Sequence, residues 1–470
     1  MAQRETKTHP QAQVLQASLH RSWVVFIAMS MFVVGMGYGL YTLYNNAPAL
    51  LSRASVAYLD IPPMRGAIRA SDGTPLALST TDEVRVHPMG LSASQLLGFG
   101  ERANGSGLAG LERDLEETLK AGGSVRLTLD ANIQALAERA LWRAMEGSKS
   151  EWGVALVMEA KTGRLLAVAN GPRFDPTAAR GDISKDISWR NHAFTQAIEP
   201  GSTQKSLTAA ILMEAGVVKI ESRVEAPMFR VIAGRTINDI VRHPPNLTLA
   251  EVLKYSSNVG ITRLAERVPN DTIYEFFRKL HFTDPKPMPA VSVGAPLVRP
   301  VKRWGPLETA NAAFGQGFLV TPLHMLAAYN ALANDGVYQQ PVLLEGQVSK
   351  AERVFRPEVA QSVRRALTDG VAERAKVPGY LVGGKTGTAQ VVVNGRYSSE
   401  VFAASFAGFI PSDKPRVTVL VTLFHPKGGG LNIHGSMVSA PVFREVAAGL
   451  FAQWGLPPVV QKEEKKDKKQ

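Results

Sequence analysis

The strongest pattern along the chain is an uncharged apolar run over residues 23–44, close to the N-terminus. A helix needs about 20 mostly apolar residues to cross a bilayer, so this run predicts one transmembrane anchor. Residues 1–22 carry an excess of Lys and Arg, which predicts a short cytoplasmic tail and a single-pass topology. A cleaved signal peptide is the alternative, because residues 47–49 could form a cleavage site. The apolar part of a signal peptide spans only about 7–15 residues, which favours the retained anchor.

The pattern changes twice after the anchor. Short strand-like runs and turn signals over residues 45–123 predict a small, β-rich, membrane-proximal pedestal domain. From residue 124 to residue 456, alternating strand patterns and periodic helix patterns predict one large domain. Residues 457–470 are dominated by lysine and glutamate, which predicts a disordered charged tail.

Periodicity also predicts individual elements within these regions. Asp130 is a suitable N-cap for the helical pattern that follows it, and Asn394-Gly395 is a strong two-residue hairpin turn. The predicted helices cover 111–119, 131–145, 249–254 and 441–454, and the predicted strands cover 125–129, 153–158, 164–169, 402–410 and 416–424. Residues 310–334 also predict helix, which resumes after Gly315-Gln316-Gly317 and Thr321-Pro322, where proline suits a first helical turn.

Composition narrows the possible chemistry. The chain of 470 residues has no cysteine, which excludes disulfides, thiolate zinc sites and a cysteine nucleophile. Its histidines show no metal-binding spacing, so we expect neither a catalytic metal nor another cofactor. The net charge of +12 suits an anionic surface, but no basic stripe interleaved with aromatic residues is present. We therefore expect no nucleic-acid partner.

Ser202 and Lys205 are the first candidates for catalysis. They stand three residues apart at the start of an apolar helical segment, so on a helix they share one face. A serine needs a base to become a nucleophile, and a desolvated lysine has a lowered pKa that suits this task. The pair is weak evidence alone, because a capping serine and a surface lysine give the same spacing. Ser202 is nevertheless the only serine in the chain with a lysine three places later.

Two later motifs have the same ambiguity. Ser256 and Asn258 follow a helical pattern, and by themselves indicate a helix end or an Asx-type turn. The segment of Lys385, Thr386, Gly387 and Thr388 precedes a strand pattern and could be a glycine-rich turn into an antiparallel meander. An earlier Lys-Thr-Gly at residues 161–163 lies between two predicted strands, where a hairpin turn is its simplest role.

Taken together, the three motifs become specific. Ser-x-x-Lys, Ser-x-Asn and Lys-Thr-Gly occur here in that order from residues 202, 256 and 385, and this is the signature set of penicilloyl-serine transferases. The chain resembles a class B penicillin-binding protein, a bitopic peptidoglycan D,D-transpeptidase, over almost all of its length after the anchor. The residues around Asn258 resemble the division branch of that family. The resemblance implies an α+β fold, with an antiparallel sheet flanked by helices and an all-helical subdomain.

The resemblance also implies a role for each motif residue. Ser202 would attack the donor stem peptide, Lys205 would take its proton, and Ser256 would relay a proton to the leaving D-alanine. Lys385 would add positive potential and hold Ser256 in line. Asn258 would hold a substrate amide, Thr386 and Thr388 would bind the terminal carboxylate beside Gly387, and the backbone N–H groups of Ser202 and Thr388 would form the oxyanion hole.

The implied partners are nascent peptidoglycan stem peptides, β-lactam antibiotics, the cytoplasmic membrane and other division proteins. Because no glycosyltransferase pattern precedes residue 124, the resemblance further implies a SEDS-family glycan polymerase as partner. Other functions share the motifs: a β-lactamase, a D,D-carboxypeptidase, and a catalytically silent divisome scaffold or β-lactam sensor. The anchor and pedestal argue against a β-lactamase, and the intact Ser202–Lys205 pair argues against a scaffold.

Overall fold

A computed structural model of the chain describes residues 10–59, 64–80, 84–101, 106–178, 186–427 and 433–458, with the side chains of the first helix described over 21–46. The helices are α1 (Pro10–Leu59), α2 (Ser94–Leu97), α3 (Gly110–Asp114), α4 (Glu116–Lys120), α5 (Ala131–Ser148), α6 (His192–Thr195), α7 (Gln204–Glu214), α8 (Leu249–Tyr255), α9 (Asn258–Ala265), α10 (Asn270–Lys279), α11 (Pro306–Phe314), α12 (Pro322–Ala333), α13 (Pro357–Asp369) and α14 (Gly435–Gln453). Short 3₁₀ turns occupy Gly201–Thr203, Val301–Arg303 and Glu373–Ala375.

The strands fall into one large sheet and several small ones. The strands are β1 (Ile68–Arg69), β2 (Pro75–Ser79), β3 (Arg85–Val86), β4 (Phe99–Gly100), β5 (Gly107–Ala109), β6 (Val125–Arg126), β7 (Trp152–Glu159), β8 (Leu165–Gly171), β9 (Arg223–Glu225), β10 (Phe229–Ile232), β11 (Arg235–Asn238), β12 (Asn246–Thr248), β13 (Val337–Gln339), β14 (Ala351–Arg353), β15 (Gly383–Val393), β16 (Arg396–Ile410) and β17 (Val417–Phe424).

A five-stranded antiparallel sheet in the order β15-β16-β17-β7-β8 organises the large unit. Its central strands are apolar at nearly every position, because helices cover both faces. One face packs against α5 and α14, and the other packs against α12 and the helices around α7. Strand β15 is an edge strand, so its outer side is open along the Lys-Thr-Gly motif.

Residues 1–63 and residues 64–470 form two compact units. The first contains α1, in which Arg21–Asn46 is long and apolar enough to cross a membrane. In the second, a four-stranded sheet in the order β3-β2-β1-β6 joins residues on both sides of the predicted boundary at 123/124, because β6 pairs with β1 in parallel. The predicted domain boundaries therefore stay predictions, and most of the predicted tail lies outside the described residues.

The fold class predicted through the resemblance is confirmed. Asp130 caps α5 by accepting from the backbone N–H groups of Asn132 and Ile133, and Asn394-Gly395 forms the turn between β15 and β16 with positive φ at both residues. The predicted break at Gly315 and the helix start at Pro322 are confirmed, since α11 ends before Gly315 and Thr321 caps α12. Two predicted helices differ in extent. Residues 111–119 form α3 and α4, and α14 begins at Gly435, so that Pro441 lies inside the helix.

Candidate active site

The Ser202 segment is a tight turn held between two other parts of the chain. Gly201 has a φ of 56°, and its N–H donates to the carbonyl of Gly315 at 2.9 Å. A Cβ added at Gly201 would lie 3.1 Å from Cβ of Ala389 on β15. Glycine is required here because the backbone is left-handed and strand β15 passes close by. The turn places Ser202, which is half-buried, directly before α7.

Lys205 lies in the first turn of α7 and is only 1% exposed. Its Nζ lies 3.0 Å from Ser202 Oγ, 3.1 Å from Ser256 Oγ and 2.6 Å from the Ser256 carbonyl oxygen. Burial holds the pKa of Lys205 well below its usual value, and the charge of Lys385 lowers it further. A neutral amine in this position can donate to the Ser256 carbonyl while its lone pair faces the Ser202 hydroxyl. The geometry is that of a base next to a nucleophile.

Ser256 connects the two lysines of the site. It ends α8 in the left-handed conformation, with a φ of 58°. Its Oγ lies 3.0 Å from Nζ of Lys385, which also donates to the Thr386 carbonyl at 3.1 Å. Burial lowers the pKa of Lys385 to about 8. Ser202, Lys205, Ser256 and Lys385 therefore form one continuous hydrogen-bonded chain.

The remaining predicted residues surround that chain without joining it. The Asn258 side-chain amide donates to the Asn238 carbonyl at 2.7 Å, and Oγ1 of Thr388 accepts from the Gly435 N–H at 3.2 Å. A Cβ on Gly387 would lie 3.0 Å from the methyl group of Thr203, so the strand passes close to the nucleophile turn. Within the described ranges, the hydroxyl groups of Thr386 and Thr388 make no hydrogen bond to Ser202, Lys205, Ser256 or Lys385.

Two carboxylates to which the sequence analysis assigned no role support the site. Glu199 accepts from the Gly317 N–H at 2.8 Å and from the Tyr397 hydroxyl at 3.0 Å, and burial raises its pKa. Asp239, directly after β11, accepts from the side chain of Ser257 and from the backbone N–H of Asn258. Glu199 lies shortly before Ser202, so its position beside the Ser-x-x-Lys motif could have indicated a role in the site. No sequence spacing relates Asp239 to Ser256.

Comparisons with known proteins identify the family of the chain. The family model described as the penicillin-binding protein transpeptidase domain matches residues 153–448. That match covers more than half of the chain and includes all three motifs. The chain belongs to the penicillin-binding protein transpeptidase family. This family member is of class B and of the division type, which confirms the resemblance drawn from its motifs.

Individual relatives cover most of this transpeptidase-family chain. It is 32% identical over 411 residues to a probable peptidoglycan D,D-transpeptidase, PenA, of Neisseria meningitidis, covering 80% of this chain and 69% of the relative. It is 29% identical over 407 residues to the peptidoglycan D,D-transpeptidase FtsI of Escherichia coli, covering 80% and 68%. The structure of penicillin-binding protein 3 from Mycobacterium tuberculosis complexed with ampicillin superimposes with a TM-score of 0.78 at 30% identity, covering 86% of this chain and 98% of that one.

Proposed function

We propose that this chain is a membrane-anchored serine D,D-transpeptidase that cross-links peptidoglycan stem peptides during division. The observation that carries the proposal is that one buried amine, Lys205 Nζ, contacts both Ser202 Oγ and Ser256 Oγ. A buried lysine of lowered pKa can accept a proton from one hydroxyl, and the other hydroxyl can carry it onward. The activity named for PenA of Neisseria meningitidis and FtsI of Escherichia coli supports the same reaction.

The reaction has two acyl-transfer steps. Ser202 Oγ bonds to the carbonyl carbon of the penultimate D-alanine of a pentapeptide stem, and its proton goes to Lys205. The bond to the terminal D-alanine then breaks, and the leaving amine takes a proton relayed through Ser256. In the second step, an amine of a neighbouring stem attacks the ester carbon and releases Ser202, while the proton of that amine returns to Ser202 Oγ through the same groups.

The substrate is held along the open edge of β15. Lys385 provides positive potential beside the donor, and Thr386 and Thr388 bind its terminal carboxylate, with Gly387 giving the backbone room to approach. The Thr388 hydroxyl can donate to that carboxylate while its oxygen still accepts from the Gly435 N–H. Asn258 holds a stem-peptide amide. The N–H groups of Ser202 and Thr388 stabilise the oxyanion, where losing one donor typically lowers the rate about 100- to 1000-fold.

The location and partners follow from the anchor and the family. Helix α1 spans the cytoplasmic membrane once, with the N-terminus in the cytoplasm and the transpeptidase domain outside, in the periplasm where an outer membrane is present. A SEDS-family glycan polymerase supplies the glycan strands, and other division proteins recruit the pair. β-lactams acylate Ser202 as substrate mimics, which the ampicillin complex of the Mycobacterium tuberculosis relative supports.

Labelling of membranes with a fluorescent penicillin tests the nucleophile. We expect a covalent band near 50.7 kDa in the wild type and none in Ser202→Ala. Ser362→Ala is the matched control, because that hydroxyl donates to the Glu358 carbonyl of its own helix, α13. A labelled Ser202→Ala protein would exclude Ser202 as the nucleophile. A band that is shortened at the N-terminus would support cleavage of α1 as a signal peptide.

Product analysis separates the transpeptidase from the other functions that share its motifs. The full-length protein is incubated with a pentapeptide stem and an amine acceptor, and the products are separated by mass. A cross-linked product together with free D-alanine is expected. Release of D-alanine without cross-linking would indicate a carboxypeptidase, and fast hydrolysis of bound penicillin would indicate a β-lactamase. Normal division in cells that carry only Ser202→Ala would indicate a scaffold.

A further inference from the structure

The Asp239 carboxylate is buried behind the Ser256 segment and is saturated with hydrogen bonds. Its side chain is 1% exposed. One oxygen accepts from the backbone N–H groups of Asn258 at 2.5 Å and Val259 at 3.1 Å, and the other accepts from the Ser257 hydroxyl at 2.5 Å. The second oxygen also lies 2.8 Å from Nε2 of His243. A carboxylate with this many donors has a fixed position.

These contacts hold the segment that presents Ser256. Helix α9 begins at Asn258, so Asp239 caps its N-terminus from another part of the chain, where a negative charge is favourable. Asn238, the residue before Asp239, accepts the side-chain amide of Asn258 through its carbonyl. The junction between α8 and α9 is thus fixed by Asn238 and Asp239 in addition to the two lysines.

The backbone at Ser256 needs such support. A serine in the left-handed conformation is uncommon, and it persists only where its surroundings hold it in place. Lys205 Nζ contacts its carbonyl and hydroxyl, and Lys385 Nζ contacts its hydroxyl. Asp239 in turn holds Ser257 and Asn258, the two residues that follow Ser256. Without Asp239, Ser256 can relax and its hydroxyl can move away from the lysines.

Asp239 also acts through its charge. Among the described residues, Lys385 on β15 and Asp239 after β11 act on Lys205 through their charges, in opposite directions. Lys385 disfavours the ammonium form of Lys205, and Asp239 favours it. Removing the anion therefore changes the pH at which Lys205 becomes a free base, which a purely structural helix cap would not do.

We propose that Asp239, fixed by His243, is a positioning residue of the transpeptidase, which holds the Ser256 hydroxyl between Lys205 and Lys385. The inference rests on the proposed function, because its effect is exerted on acylation of Ser202. The His243 side chain is completely buried, with Nε2 2.8 Å from Asp239 and Nδ1 2.8 Å from the Pro244 carbonyl oxygen, and these contacts fix the imidazole. The ring in turn fixes the orientation of the carboxylate.

The test compares acylation rates of full-length, detergent-purified variants with a fluorescent penicillin. Asp239→Asn keeps the volume of the side chain and removes its charge. Because small displacements of catalytic groups can cost about 100-fold in rate, we expect a loss of at least about tenfold. The acidic limb of its pH–rate profile should also shift to lower pH, because loss of the anion lowers the pKa of Lys205. The matched control is Asp130→Ala, which removes a carboxylate cap from α5 on the other face of the sheet.

The outcomes separate positioning from folding stability. Wild-type rates in a folded Asp239→Asn protein overturn the proposal, and so does an equal rate loss in Asp130→Ala at the same Tm. If Asp239→Asn does not fold, Ser257→Ala decides, since it removes the hydrogen bond to Asp239 and the N-cap hydrogen bond from the Gly260 N–H but leaves the charge of Asp239. A loss of a few-fold in that folded variant supports the proposal, and an unchanged rate overturns it. Absence of label in the wild type overturns the proposed function and this inference together, whereas label that depends on Ser202 but not on Asp239 overturns this inference alone.

Discussion

The chain contains the tripeptide Lys-Thr-Gly twice, in two different surroundings. Lys161-Thr162-Gly163 forms the turn between β7 and β8, where Lys161 and Thr162 are exposed and Gly163 has a φ of 75°. Lys385-Thr386-Gly387 lies on the edge strand β15, where Lys385 is 6% exposed and contacts Ser256. The first tripeptide is an exposed turn, and the second places a buried lysine in the candidate active site.

The difference arises from what packs against each segment. At residue 163, glycine is needed for a left-handed turn next to the Gln340 carbonyl. At residue 387, the backbone is extended, and glycine is needed because the Ser202 turn passes close to it. A short motif therefore acquires its function from burial and from neighbours that are distant in sequence.

The largest expected contrast is between the two lysines. Lys385→Ala should lower penicillin acylation about 100-fold or more, because it removes a buried positive group from the substrate edge and from Ser256. Lys161→Ala should leave the rate within about twofold, as is usual for an exposed residue away from the site. Rates of labelling and thermal unfolding are measured on both variants. Equal effects of the two substitutions would show that burial does not distinguish the two motifs.

Substituting alanine for the glycine of each Lys-Thr-Gly motif should have two different kinds of effect. Gly387→Ala places a Cβ 3.0 Å from the Thr203 methyl group and 3.1 Å from the Pro200 carbonyl oxygen, so we expect acylation to fall about tenfold through displacement of Ser202. Gly163→Ala should leave acylation unchanged and destabilise the fold by more than the about 1–2 kcal/mol cost of a left-handed alanine, because its Cβ would also lie 2.5 Å from the Gln340 carbonyl oxygen. Acylation rate and denaturant unfolding separate the two effects. A slowed Gly163→Ala enzyme or an unaffected Gly387→Ala enzyme would contradict this assignment.

The smallest expected effect is on the pH profile. Acylation should increase with pH through the lowered pKa of Lys205, which must lose its proton to act as a base. It should decrease by a few-fold above pH about 8, where Lys385 loses its positive charge. In Lys385→Arg, which stays charged, the decrease should disappear, and in Lys161→Ala the profile should match the wild type. A wild-type rate that keeps rising to high pH would show that the charge of Lys385 is not needed.

Much of the fold could be predicted because its signals are local. The apolar run of the anchor, the Asp130 cap, the Asn394-Gly395 hairpin and the strand patterns that became β7, β8, β16 and β17 each depend on residues close in sequence. The errors arose where packing overrides a local pattern. Pro441 suggested a helix start, yet α14 begins at Gly435, whose N–H donates to Thr388. The helical pattern of residues 111–119 became the two short helices α3 and α4.

The sequence by itself determined the chemical groups of this protein: a serine and a lysine one helical turn apart, and two further motifs in a recognisable order. Only the tertiary structure decided that these groups meet. Ser256 and Lys385 reach Lys205 because α8, α9 and β15 converge on α7, and burial at that junction lowers the pKa values of both lysines. Asp239 joins them from a separate strand. Desolvation and contact between distant segments belong to the packed fold, so no local pattern of residues can specify them.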